Sequence, residues 1–128
     1  MQYSIDKILD MSFDDAVNRV VEELKKEGFG VLTDIDVQTT LKKKLDVDFR
    51  KYRILGACNP PFAYKALQAE RRIGTMLPCN VIVQETESGQ IEVSAIDPIA
   101  SMRAIENPSL REIADQIQDK LKKIVERL

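Results

Sequence analysis

The sequence predicts one domain that mixes strands and helices in the order β-α-β-α-β-α-β-β-α-α, on three observations. Apolar residues switch repeatedly between alternation and three-to-four-residue spacing. A short polar residue followed by proline recurs where helices should start. Glu87-Ser88-Gly89 separates two β-branched runs as a hairpin turn would. With 128 residues, 44% hydrophobic and 31% charged, the chain has the size and composition of a single globular domain spanning residues 1–128. No internal repeat, low-complexity tract or linker divides it.

Tyr3 and Ile5 alternate with Ser4 and Asp6 and, with Lys7, Ile8 and Leu9, make a short first strand. Ser12 then serves as N-cap with Asp15 three positions on, Phe13, Ala16, Val17, Val20, Val21 and Leu24 share one helical face, and Gly28 ends the helix. Phe29 to Ile35 is apolar and β-branched enough for a second strand. Asp36 can cap a short amphipathic helix from Val37 to Leu45, in which Val37, Leu41 and Leu45 recur beside Lys42, Lys43 and Lys44. From Tyr52 alternation resumes, with Tyr52, Ile54, Gly56 and Cys58 facing one way and Arg53, Leu55 and Ala57 the other.

Asn59-Pro60, Asp97-Pro98 and Asn107-Pro108 each pair a side chain able to accept from free first-turn amides with a ring already near helical φ. Helices are therefore expected over Phe62 to Ala69, Ile99 to Ile105 and Pro108 to Leu128. The last carries Leu110, Ile113, Ala114, Ile117, Leu121, Ile124, Val125 and Leu128 as one stripe, which should lie across a sheet. Asn80 to Thr86 and Gln90 to Ile96 form the hairpin strands. Every aromatic residue lies at or before Tyr64, so the second half of the chain supplies an aliphatic wall to the core.

Composition narrows the chemistry. Nineteen basic against 21 acidic side chains leave a net charge of −2, so no global positive field gathers phosphates and nucleic acid is not an expected partner. The chain contains no His and no Trp, which removes the commonest general base, the commonest metal ligand and every Ser-His or Cys-His nucleophile pair. The opening residues carry neither a basic region nor a long apolar stretch, and the longest later apolar run is Val81-Ile82-Val83; no membrane partner and a cytoplasmic location are expected, with Cys58 and Cys79 as free thiols.

Cys58-Asn59 and Cys79-Asn80 repeat one dipeptide at the end of one expected strand and the start of the next. If those strands are antiparallel neighbours, both thiols reach one sheet edge, and Cys58 lies just before a helix N-terminus, where the dipole favours a thiolate. Two readings follow. One is a small polar pocket with reactive or ligand-binding thiols, rimmed by Tyr64 and Lys65. The other is a pair of buried small hydrophobes beside two turn-forming asparagines. Asp34, Asp36 and Asp97 each end an expected strand and could act as paired carboxylates, but Asp36 and Asp97 precede helices, so capping accounts for them better. The basic clusters Lys42 to Lys44, Arg71-Arg72 and Lys120 to Lys123 lack interleaved aromatics and read as solvated faces. Gly28, Gly30 and Gly74 complete no phosphate-binding fingerprint.

Four blocks carry a family resemblance: Glu27 to Val37 (EGFGVLTDIDV), Tyr52 to Pro60 (YRILGACNP), Leu77 to Val81 (LPCNV) and Ala95 to Pro98 (AIDP). In composition and order they resemble the signature blocks of the prokaryotic domain of unknown function 302 family. The resemblance implies an α+β fold in which a mainly antiparallel sheet carries helices on one face, similar to the TATA-box-binding-protein-like arrangement, and a homodimer. It implies no activity, and a shared fold is no ground for nucleic-acid binding. The expectation is a small homodimeric domain that binds a small molecule or a partner without catalysis, at a site drawn from Cys58, Asn59, Tyr64, Cys79, Asn80 and Asp97, with no cofactor or resident metal. The alternative is a thiol-dependent enzyme or a handler of Cu(I) or Zn²⁺ that uses Cys58 and Cys79.

Overall fold

The computed structural model describes residues 2–128. In chain order the elements are β1 (Ser4–Leu9), α1 (Phe13–Lys26), β2 (Gly30–Asp36), α2 (Val37–Leu45), β3 (Tyr52–Cys58), α3 (Pro60–Ala69), β4 (Cys79–Glu85), β5 (Ile91–Ile96), α4 (Pro98–Ser101) and α5 (Pro108–Arg127). A 3-10 turn at Ile73–Met76 follows α3. The strands form one five-stranded sheet in the order β1-β5-β4-β3-β2, with every neighbouring pair antiparallel. This is one α+β domain.

Local chemistry sets the helix ends. The Ser12 hydroxyl accepts from the Asp15 amide at 3.1 Å, and Asp36 Oδ1 accepts from the Thr39 amide at 3.0 Å. After α1, Gly28 takes φ +86°, the Gly28 amide donates to the Lys25 carbonyl at 3.0 Å, and the Phe29 amide donates to the Leu24 carbonyl at 2.9 Å. That pair of bonds closes the helix as a Schellman motif and turns the chain directly into β2.

Alternation along the strands puts Leu55, Ala57, Val81, Val83, Val93 and Ala95 on one face, where they are buried against Val20 and Leu24 of α1 and Leu121 and Ile124 of α5. Each large aliphatic side chain buried there contributes roughly 1.5–3 kcal/mol relative to an exposed one. A second, smaller cluster of Ala66, Ile73 and Leu110 joins α3, the 3-10 turn and the start of α5, with Leu77, Met102 and Ile105 against it. The α5 stripe is thus shared between two clusters.

The far ends of α1 and α5 are tied by charge. Glu23 is only 6% exposed, yet its carboxylate accepts from Lys26 at 2.8 Å and from Arg127 at 2.9 Å, while Arg127 also donates to Glu27 at 3.0 Å. The Lys26 hydrogen bond, followed by that of Arg127, holds the Glu23 carboxyl below its ordinary range despite burial.

Three sequence expectations change. The helix expected over Ile99 to Ile105 stops at Ser101, because Met102 and Ile105 turn inward onto the Ala66–Ile73–Leu110 cluster and the chain must leave helical geometry before Pro108. The 3-10 turn was not expected from periodicity; it exists to bury Ile73 completely. Asn59 does not cap α3 with its side chain. Asp97 and Asn107 do cap their helices, each accepting from two first-turn amides.

Gly56 sits where three segments meet. A Cβ built on it would lie 2.1 Å from Thr33 Oγ1 and 2.7 Å from Pro78 Cγ. The threonine could rotate, but the proline ring has little freedom. Gly56→Ala is therefore expected to destabilise by about 1–3 kcal/mol through overpacking, read from chemical denaturation; a variant as stable as the parent would show that β2 and Pro78 can retreat from β3.

Candidate functional site

The register of β3 against β4 places Ala57 opposite Cys79, so Cys58 lies one residue beyond the partner of Cys79. The end of β3 and the start of β4 are antiparallel neighbours, which meets the condition for both thiols to reach one sheet edge. Both cysteines are free, with Cys79 buried and Cys58 half-buried, and both line one cavity of about 290 Å³ between the sheet end and α3, α4 and α5.

Small side chains make this space. Ala57, Cys58 and Cys79 form its sheet wall, Ala63 and Ala66 its α3 wall, and Ala114 its α5 wall, between the two hydrophobic clusters. Larger apolar residues complete the lining, among them Phe29, Phe62, Leu77, Met102 and Ile117. At the rim, Leu32 and Leu67 are 67% and 47% exposed, far more than single core residues would be. Leu32 occupies the bulge where the β2–β3 register shifts between Val31 and Thr33, which turns its side chain toward the cavity mouth. None of the lining residues carries a formal charge.

Asn59 is the polar member of the lining. It is 7% exposed, and its Nδ2 donates to the Glu27 carbonyl at 3.0 Å, across from the Schellman turn of α1. The side chain that should have capped α3 instead joins α3 to the end of α1. Burial, with the neighbouring Cys58 thiol adding to it, pushes the Cys79 thiol from the ordinary 9.0 up to about 11.

The remaining candidates go elsewhere. Asn80 is exposed on the opposite side of β4 from Cys79, and Tyr64 is 66% exposed, outside the cavity lining. Asp97 Oδ1 accepts from the Ile99 and Ala100 amides and from Gln118 Nε2 at 3.0 Å, so this oxygen serves α4 and α5. Asp34 pairs with Arg53 through both carboxylate oxygens, and that guanidinium holds its carboxyl below the ordinary range. Sequence reasoning missed Ala63, Ala66, Met102 and Ala114. The signal of the three alanines was residue size, as where Ala114 interrupts a stripe otherwise built of Leu, Ile and Val; Met102 carried none.

Fold and site together define an α+β domain with an apolar, thiol-flanked cavity at one end of its sheet. The family described as "Domain of unknown function DUF302" matches residues 5–128, and the chain belongs to that family. A crystal structure of an uncharacterised conserved DUF302 protein from Bacillus stearothermophilus is 29% identical, with a TM-score of 0.92 over 99% of this chain and 98% of that one. No curated protein matches.

The thiols should behave unequally. At pH 8 an alkylating reagent is expected to modify Cys58 well before Cys79, and equal rates would contradict the burial of Cys79. Because folded Cys79 keeps its proton to about 11 while the unfolded thiol releases it near 9.0, the unfolded state gains stability as pH rises through that window. The stability advantage of the parent over Cys79→Ala should be constant below pH 9 and shrink toward pH 11 in denaturation curves.

Proposed function

We propose that this domain is a non-catalytic binding module for a small, largely apolar molecule held in the cavity beside Cys58, Asn59 and Cys79. The observation that carries this reading is the cavity itself: small residues from β3, β4, α3 and α5 line an uncharged, apolar space bordered by members of both hydrophobic clusters. The neighbouring carboxylates are engaged in caps and ion pairs, which leaves no pair poised for acid–base work at this site. The competing thiol-enzyme or soft-metal reading needs thiolates, and the burial that raises Cys79 opposes that form. Among the described residues, no group of three or more His, Cys, Asp or Glu gathers into a ligand set.

The test is a titration with the apolar fluorophore N-phenyl-1-naphthylamine. The parent is expected to give a saturable enhancement at one site per chain, and Ala63→Trp, which fills the space from α3, should abolish it while melting within a few degrees of the parent. Equal enhancement by both proteins, or none by either, would overturn the reading.

We extend the proposal to a homodimer, supported by exposed apolar side chains around β2 and α2, where Leu32, Ile35, Leu45 and Val47 are 67%, 47%, 66% and 42% exposed. Sedimentation equilibrium should return twice the chain mass; the mass of one chain at micromolar concentration would end this extension without touching the cavity.

A further inference from the structure

We infer that the cavity ligand presents a hydrogen-bond donor to the Asn59 amide oxygen, which makes it an apolar chain or ring ending in a neutral hydroxyl or carboxamide rather than a carboxylate. The inference rests on the binding reading above and adds the chemistry of the ligand's polar end.

The orientation of the Asn59 amide follows from its partner. The Glu27 carbonyl can only accept, so the atom 3.0 Å from it must be the amide nitrogen, and the oxygen is the atom left over. In an Asn that precedes a helix this oxygen would ordinarily take a first-turn amide. Here it does not: Pro60 and Pro61 remove the first two amides, and the bond to the Glu27 carbonyl draws the side chain away from the third, that of Phe62. No protein donor meets Oδ1 among the described residues, and since no buried side-chain nitrogen or oxygen among them lacks a partner, this oxygen stays accessible at the cavity that Asn59 lines. An acceptor in that position favours a ligand that brings a proton, since leaving it unpaired beneath a bound apolar body would cost the desolvation of the group.

The charges nearby do not favour an anion. Lys65 and Lys120 lie over the Phe62 ring at 5.7 and 5.9 Å, but neither lines the cavity, and Lys120 is paired with Glu27 at 3.6 Å. A carboxylate entering beside Asn59 would meet acceptor oxygen and apolar walls without a compensating cation. A hydroxyl or carboxamide supplies the missing donor and carries no charge to desolvate.

The experiment is isothermal titration calorimetry at pH 7 with four probes built on one eight-carbon chain: octan-1-ol, octanamide, methyl octanoate and sodium octanoate. Methyl NMR shifts at Ala63, Ala66 and Ala114 report the place of binding. Octan-1-ol and octanamide are expected to bind in the cavity at least about ten-fold more tightly than methyl octanoate and octanoate, the ratio that one hydrogen bond supplies. Methyl octanoate or octanoate binding as tightly as the donors, with the same shifts, would overturn the donor inference and leave the binding reading standing. Absence of binding by all four, or shifts that avoid those alanines, would overturn both.

Discussion

The absence of a side chain at Gly56 is the constraint on which the site end of the molecule depends. Thr33 and Pro78 both press on that position, so β2 and the segment leading into β4 approach β3 more closely there than any other residue would allow. The approach carries the bulge at Leu32 on one side and sets the register that puts Ala57 opposite Cys79 on the other. From these two consequences follow the thiols on one wall and a leucine at the mouth. One glycine thus links strand pairing to the shape of the cavity.

Residue size then decides what the cavity is. Core packing in proteins approaches crystal density, so a space of this kind needs small side chains placed together from elements distant in sequence. Ala57, Cys58 and Cys79 from the sheet line the space with Ala63 and Ala66 from α3 and Ala114 from α5, and larger residues packed in or against the two clusters complete it. Cys79 belongs to this wall as a small, protonated, apolar side chain. Of the two readings of the Cys-Asn pairs, the thiol of Cys79 matches the buried small hydrophobe, and the cavity it borders is apolar where a small polar pocket was the other expectation.

Most of the fold was legible because its signals are local. The Asn107-Pro108 and Asp97-Pro98 starts, the α5 stripe and the Tyr52–Cys58 alternation each state their element within a few residues. Asn59-Pro60 shows the limit of that grammar. It starts α3 as expected, yet its side chain bonds the Glu27 carbonyl, a partner 32 positions away that no local pattern announces. The short α4 and the turn that buries Ile73 escaped for the same reason, since tertiary packing of Met102, Ile105 and Ile73 outweighs weak local preference. Of the site, the two cysteines and Asn59 were visible as a repeated dipeptide, whereas Asn80 faces away because successive strand residues alternate sides. The alanines that shape the cavity are informative only once the elements are assembled.

Asn59 also ties the cavity to the stability of the whole domain. Its partner Glu27 uses two groups at once: the backbone carbonyl receives the Asn59 amide, and the carboxylate is held by Arg127 and Lys120 of α5. Gly28, at φ +86°, makes this possible, since a Cβ there would stand 3.2 Å from Asn59 Nδ2 and the turn favours glycine in any case. The cavity wall is therefore fastened to the same junction that clamps α1 to the end of α5. On the proposed reading, a molecule bound against Asn59 contacts a side chain that is itself hydrogen-bonded to that junction through the Glu27 carbonyl. By linkage, such binding stabilises the junction along with the cavity, because the unfolded chain offers no equivalent site. Under the proposed binding, an occupied cavity and a tightened α1–α5 clamp would be one equilibrium.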